Sequence, residues 1–335
     1  MRAVVQTGYG SPEDVLRLAE VDEPVPGDGE VLVRVRAASV HVDVWHVVTG
    51  RPYVLRLMGS GVRRPKRSIP GTDLAGQVES AGRNATRFQP GDAVFGEVAR
   101  TQWQNGGTFA EYSVVPQEAL ALKPDDVTFE QAASVPTSGG IALNCLRLGR
   151  LSAGRNVLVN GAGGAVGSIA VQAARAEGAR VTGVDHGEKL EMIRWLGADH
   201  VIDYTREDFT RGGERYDLIL DVASTLSLGD CKRALTPDGL YVMVGHDHFG
   251  EASGRVLGSL PRMLGLVARG RFDHHLPAPD LRMPARGDTV ATLRALLDAG
   301  SLTPLVGRTF PLGEVPAALR SLQEGRVLGR IVINP

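Results

Sequence analysis

The chain reads as an α/β protein in two parts, a β-rich part and a doubly wound parallel sheet. Three observations carry that reading. The stretch Asn156-Val-Leu-Val-Asn160-Gly161-Ala162-Gly163-Gly164-Ala165-Val166-Gly167 has the form of a strand, a glycine-rich turn and a helix start. From 156 to about 245 short apolar runs alternate with helical segments, which implies a parallel sheet with helices on both faces. Residues 1 to about 124 instead carry short alternating runs between dense turn signals.

The glycine stretch is the most informative. Val157-Leu-Val159 is a buried-strand run, and a helix is expected over Val166 to Glu177 with Ile169, Val171, Ala173 and Ala174 on the sheet. Gly178 is placed to stop that helix, and Arg180 to Val184 is the next strand. Asp185 closes it, 18 residues beyond Gly167. This is the layout of a dinucleotide-binding βαβ unit. There the glycines allow a tight turn, close approach of backbone to a pyrophosphate, and close packing of helix on strand. Gly164 and Gly167 fit the last two roles, and Ala162 replaces the first glycine. A glycine-rich turn without a ligand is outweighed, because strand, helix and acid all stand at the expected distances.

The composition is that of an ordinary globular enzyme. There are 335 residues, enough for two domains; 43% are hydrophobic and 22% charged. A formal net charge of −1 gives no global field for nucleic acid or an anionic membrane. Two cysteines, Cys145 and Cys231, are too few for a disulfide framework and fit a reducing, cytoplasmic setting. Met1 to Gln6 reads as a first strand rather than an apolar-cored leader, and no run approaches the roughly 20 apolar residues of a membrane span.

In chain order, Val31 to Arg36 alternates as a half-exposed strand. Further strands are expected at Gly76 to Ser80, Ala93 to Phe95 and Ala110 to Val115, forming a small, partly open barrel. The basic cluster Arg63-Arg64-Pro65-Lys66-Arg67 reads as a solvated loop before a phosphate-facing patch. Helical pieces at Phe129 to Pro136 and Ile141 to Leu146 lead into the alternating region, whose strands are expected at 157–159, 181–184, 201–202, 218–220 and 240–244. Residues 246–284 give no clear pattern. Helices at Thr289 to Leu297 and Val315 to Leu322 precede a last strand, Arg330 to Ile333, which suggests a return to the first part. The expected division is therefore 1–124 with 285–335, and 125–284.

These motifs resemble those of the medium-chain dehydrogenase/reductase superfamily, in its zinc-independent, quinone oxidoreductase-like branch. The resemblance runs through Ala37 to His41, Ile69 to Gly76, Phe88 to Gly96, Gly107 to Tyr112, Asn160 to Gly167, Leu196 to Asp199, Val201 to Tyr204 and Gly329 to Ile333, in order along nearly the whole chain. It implies a GroES-like catalytic domain split around a Rossmann domain. Zinc-dependent relatives carry a Cys near 39, a His near 73 and four clustered cysteines; here stand Ser39 and Asp73, with Cys145 and Cys231 each alone. The pairs His41/His46, His246/His248 and His274/His275 have no supporting ligand pattern, so no zinc is expected.

Two readings of the nucleotide stand side by side. Asp185 can accept from a ribose 2′-hydroxyl, which favours NAD(H) and repels a 2′-phosphate. Lys189 and Tyr204 match positions resembling the 2′-phosphate contacts of NADPH-using relatives, and the resemblance tips the choice to NADP(H). Ala162, Gly163, Gly164, Ala165, Val166, Gly167, Asp185, Lys189, Tyr204, Gly245 and Arg330 form the expected cofactor-binding set.

Without a Lewis acid, hydride transfer to a quinone or an α,β-unsaturated carbonyl needs an oriented acceptor and a donor for its oxygen. The resemblance puts His41 where related reductases have Asn, and Tyr53 beside the substrate cleft. His41 can donate in either protonation state, against its alternative as a satisfied loop histidine. For Tyr53, a plain cleft wall outweighs a proton donor. A metal-free alcohol dehydrogenase and a non-catalytic NADPH-binding redox sensor are the rival readings. The expected partners are a small carbonyl or quinone substrate and a second copy, as a homodimer, with no nucleic acid and no membrane.

Overall fold

The computed structural model describes residues 1–98, 104–244, 254–278, 280, 284–325 and 327–335. These form two compact units, residues 1–137, 285–298 and 304–335 in the first and 138–284 with 299–303 in the second.

The first unit opens with β1 (Arg2–Gln6), α1 (Pro12–Val15) and β2 (Leu16–Glu20), an antiparallel pair in which Val4 faces Leu18. Then come β3 (Glu30–Val40), α2 (Val42–Thr49), β4 (Asp73–Ala81), β5 (Ala93–Glu97), β6 (Tyr112–Pro116), β7 (Leu120–Leu122) and α3 (Phe129–Ala133). Arg34 and Arg36 are exposed around a buried Val35, but the alternation fails at both ends of β3, where Val31–Val33 and Ala37–Val40 are all buried. The cause is crowding, since β3 pairs with β4, β6 and the chain's last strand. Thr128 caps α3 in a reciprocal capping box with Gln131.

The second unit is built on α4 (Pro136–Leu148), β8 (Asn156–Asn160), α5 (Ala165–Ala176), β9 (Arg180–Asp185), α6 (Leu190–Trp195), β10 (His200–Asp203), β11 (Tyr216–Asp221), α7 (Leu228–Arg233), β12 (Leu235–Met243) and α8 (Leu260–Arg269). Its five strands lie in the order β10-β9-β8-β11-β12, all parallel. The chain runs from β8 out to β10 and then crosses to β11, so the order reverses between β8 and β11. In open α/β sheets that reversal leaves a crevice at the strands' carboxyl ends. A core of Leu158, Val184, Ile219, Leu235, Tyr241 and neighbours holds the sheet to its helices. Burying such side chains stabilises by roughly 1.5–3 kcal/mol each.

The chain then returns to the first unit with α9 (Arg286–Asp298), β13 (Val306–Pro311), α10 (Val315–Gln323) and β14 (Arg330–Asn334). β14 pairs antiparallel with β3, Val332 opposite Ser39, which completes a seven-stranded sheet. The terminal strand thus rejoins the first part as its sequence suggests. α8 lies in the stretch 246–284 that gave no pattern. Among the described residues no helix is long and apolar enough to cross a membrane.

Candidate active site

In the second unit the glycine turn sits between β8 and α5, at the topological reversal. Gly161 has φ 86° and Gly164, the N-cap of α5, has φ −80° and ψ 175° with no side-chain cap. A Cβ on Gly167 would lie 2.1 Å from the Gly161 carbonyl oxygen, so only glycine lets the helix start this close to the strand. The first bond back into the helix runs from Ser168 N to Gly164 O. The amides of Ala165, Val166 and Gly167 therefore begin the helix with no intrahelical acceptor. Free N–H groups, a helix dipole and a turn without side chains fit an anionic pyrophosphate.

Asp185, at the end of β9, reaches back to this turn. Its Oδ2 accepts from the Gly163 amide at 2.8 Å and its Oδ1 from the His186 amide at 2.8 Å. Lys189 Nζ lies 3.2 Å from Oδ1. The lysine stem passes over the turn, since a Cβ on Gly163 would come within 2.7 Å of Lys189 Cδ. Tyr204 donates its amide to Asp185 O, and its ring, 59% exposed, stands edge-on to His186. The structure thus brings together Gly163, Asp185, Lys189 and Tyr204, with Asp185 paired to a cation. Gly245 lies outside the described residues.

The sequence gives no sign of Asp221 as the organiser of the neighbouring strand ends. Fully buried at the end of β11, it accepts from Asn160 Nδ2, the Ser224 amide and the Tyr241 hydroxyl. Burial and this carboxylate push the Tyr241 hydroxyl well above its usual range, so it stays a donor. Spaced 61 and 20 residues from these side chains, Asp221 is found only once the strands are adjacent.

The first unit holds a buried polar cluster. Ser39 Oγ donates to Asp73 Oδ2 at 2.8 Å, and Thr137 donates its amide and hydroxyl to Oδ1. Arg330 Nη2 lies 3.6 Å from Asp73 Oδ2 and donates to Ser39 Oγ at 3.1 Å. Burial raises the Asp73 pKa against the pull of Arg330, and lowers that of Arg330. Ser39 and Asp73 are thus engaged with each other and with a cation. Arg330, expected at the cofactor, has its main contacts here, though its Nε is a buried donor with no hydrogen-bond partner.

His41, 5% exposed, follows β3 and caps α2: its Nδ1 accepts from the Asp43 amide at 3.2 Å. An accepting Nδ1 places the neutral ring's proton on Nε2, which makes that edge a donor. The Asp43 carboxylate also lies 3.2 Å from Nδ1. Asp43 and Glu97 escape sequence reasoning. Partly buried Glu97 is pushed up to about 8, chiefly by desolvation and then by Asp73. Tyr53, 41% exposed, has the Arg56 guanidinium 4.7 Å from its ring centroid.

Two other histidines have backbone partners. His46 Nδ1 lies 2.6 Å from Arg51 O, and His275 Nδ1 lies 2.8 Å from Gly239 O, its ring tilted on His274. His246 and His248 lie outside the described residues. Among the described residues no group of three His, Cys, Asp or Glu side chains could hold a metal ion.

Fold and site together define a pyridine-nucleotide oxidoreductase of two units. Residues 27–125 match the alcohol dehydrogenase GroES-like domain and 196–333 the zinc-binding dehydrogenase domain. The chain is 32% identical to a chloroplastic quinone-oxidoreductase homolog of Spinacia oleracea, covering 100% of this chain and 98% of that one. It is 30% identical to a chloroplastic NADPH-dependent alkenal/one oxidoreductase of Arabidopsis thaliana, covering 100% and 80%. A mycobacterial protein solved in complex with NADPH superposes with a TM-score of 0.78 at 27% identity over 100% of both chains. The chain belongs to the medium-chain dehydrogenase/reductase superfamily, in its quinone oxidoreductase-like branch.

Proposed function

We propose that this protein is an NAD(P)H-dependent oxidoreductase that passes hydride to a quinone or an α,β-unsaturated carbonyl, with NADPH as the preferred donor and without zinc. The observation that carries the reading is the glycine turn crossed by the Asp185–Lys189 pair. The helix start after the turn offers the amides of Ala165, Val166 and Gly167 to the pyrophosphate, and Lys189 holds a cation beside the carboxylate that would otherwise repel a 2′-phosphate. The bound nicotinamide supplies a hydride to the electron-poor carbon. His41 offers the Nε2 proton edge to the acceptor's oxygen as charge builds there, and solvent returns the proton. Tyr53 is assigned to the wall of the acceptor site. Arg330 retains one unmet donor, Nε, which supports its place in the cofactor set.

Relatives that carry the names quinone oxidoreductase and alkenal/one oxidoreductase support the acceptor class. The test is oxidation of NADPH and NADH against a panel of quinones and enones. Turnover with these and not with simple alcohols is expected. His41→Ala should lower kcat by about 10²-fold with little change in nucleotide affinity, and His41→Asn should restore part of it. Nucleotide binding without turnover on any acceptor would overturn the enzyme reading.

A further inference from the structure

One stretch of the first unit carries charge out of proportion to the rest of the chain. Between Asp43 and Asp73 stand Arg51, Arg56, Arg63, Arg64, Lys66 and Arg67 and no acidic residue, in a chain whose net charge is −1. Arg56 is engaged. Its guanidinium lies between the rings of Tyr9 and Tyr53, 4.4 and 4.7 Å from their centroids, and its Nε donates to Gly50 O at 2.9 Å. The other five are exposed, and none of their side chains has a hydrogen bond or an ion pair among the described residues.

The sequence alone reads this cluster as a solvated loop, but its backbone is fastened along its length. Tyr9 donates its hydroxyl to Gly61 O at 2.5 Å, Gln104 its side-chain amide to Gly59 O at 3.3 Å, and Asn105 its own to Arg67 O at 2.7 Å. Lys66 N donates to Ser60 O at 2.8 Å and Gln6 N to Ser68 O at 2.6 Å. Gly61 has φ 115°, and a Cβ there would lie 2.3 Å from Arg64 O, so the turn that carries the cluster is tight. The cations therefore stand on a fixed frame. Their mutual repulsion is a cost that an anion would offset, and little ordering opposes its binding.

We propose that residues 51–67 bind the anionic part of the acceptor, and that this acceptor is an α,β-unsaturated carbonyl carried on a phosphorylated arm. The inference rests on the reading above, which assigns Tyr53 to the wall of the acceptor site, and it narrows that reading, since a simple quinone leaves the cations without a partner. Five guanidinium and ammonium groups exceed what one carboxylate can meet, and arginine forks match phosphate oxygens. A spacer is required because Tyr53, Arg56 and Tyr9 stack in a row, and Tyr9 in turn holds Gly61, beyond which Arg63 to Arg67 follow. Leu57 and Val62, 76 and 63% exposed, offer that arm apolar surface. The hydride still goes to the electron-poor carbon; the arm contributes binding.

The test is steady-state oxidation of saturating NADPH with one trans-2-enoyl group offered in two forms. One is its coenzyme A thioester and the other its N-acetylcysteamine thioester, which has no phosphate. The kcat/KM should favour the coenzyme A thioester by roughly tenfold or more at low salt, through KM rather than kcat, and added salt should erase the preference. Arg63→Glu with Arg64→Glu should bring the ratio of the two kcat/KM values close to one. If that variant fails to fold, Lys66→Glu with Arg67→Glu decides. Equal kcat/KM for the two thioesters in the wild type, or a charge-reversed variant that keeps the preference, would overturn the inference and leave the enone reading standing. Failure to reduce any enone or quinone would remove both. Wild-type protein that pellets with phosphatidylglycerol vesicles and prefers neither thioester would also overturn it, giving the segment to lipid headgroups.

Discussion

Lys189→Ala separates the two readings of cofactor choice. Lys189 is partly exposed, at 23% for its side chain, and its Nζ is 3.2 Å from a carboxylate that also holds the Gly163 and His186 amides. A charged hydrogen bond to a 2′-phosphate contributes about 1.5–3 kcal/mol. Part of the lysine's charge is already offset by Asp185, so the lower end applies, and NADPH should bind about tenfold more weakly to the variant. NADH has no phosphate at that position and should bind as before. Fold stability should fall little, since a partly exposed ion pair is worth roughly 0.2–1 kcal/mol. Asp185→Asn gives the converse: it keeps an acceptor for Gly163, frees the lysine, and should tighten NADPH several-fold without a gain for NADH. Calorimetric titration of both nucleotides into each variant is the measurement. Equal weakening of NADH and NADPH by Lys189→Ala, or no effect on either, would refute the assignment of Lys189.

Three further outcomes follow from the same geometry. A Cβ at Gly164 meets only the Gly161 oxygen, at 3.3 Å, whereas one at Gly167 meets it at 2.1 Å. Gly164→Asp should therefore fold and lose nucleotide binding, while Gly167→Ala should lower the melting temperature first; the reverse pattern by calorimetry and titration would contradict the turn's assignment. Arg330→Met leaves the fully buried Asp73 carboxylate without its cation, and should cost about 3–5 kcal/mol in urea unfolding, as removal of one partner of a buried pair does. Glu97, raised from 4.5 to about 8, binds its proton more tightly folded than unfolded. Its contribution is fully present below about 4.5 and lost as pH rises through 8, so Glu97→Gln should flatten the fall in stability over that window, and an unchanged profile would count against it.

What the sequence alone determined is local. The βαβ unit was legible because its parts are contiguous: an apolar run, glycines, an amphipathic helix and an acid at a set distance. Alternation along 156–245 likewise announced a parallel sheet, and Arg330 to Ile333 a returning strand. Short elements without a periodic signature, such as β2, β7 and the six-residue helices α6 and α7, were not legible. The tertiary structure decided what depends on residues far apart in the chain. Asp73 meets Arg330 across 257 positions of sequence because β3 pairs with both β4 and β14. Asp221 collects Asn160 and Tyr241 because their strands are neighbours. The anchoring of Arg262 is of the same kind: its bonds to the Ser224 and Leu226 carbonyl oxygens, 38 and 36 residues away, exist only once the chain is folded, and periodicity along the helix does not announce them.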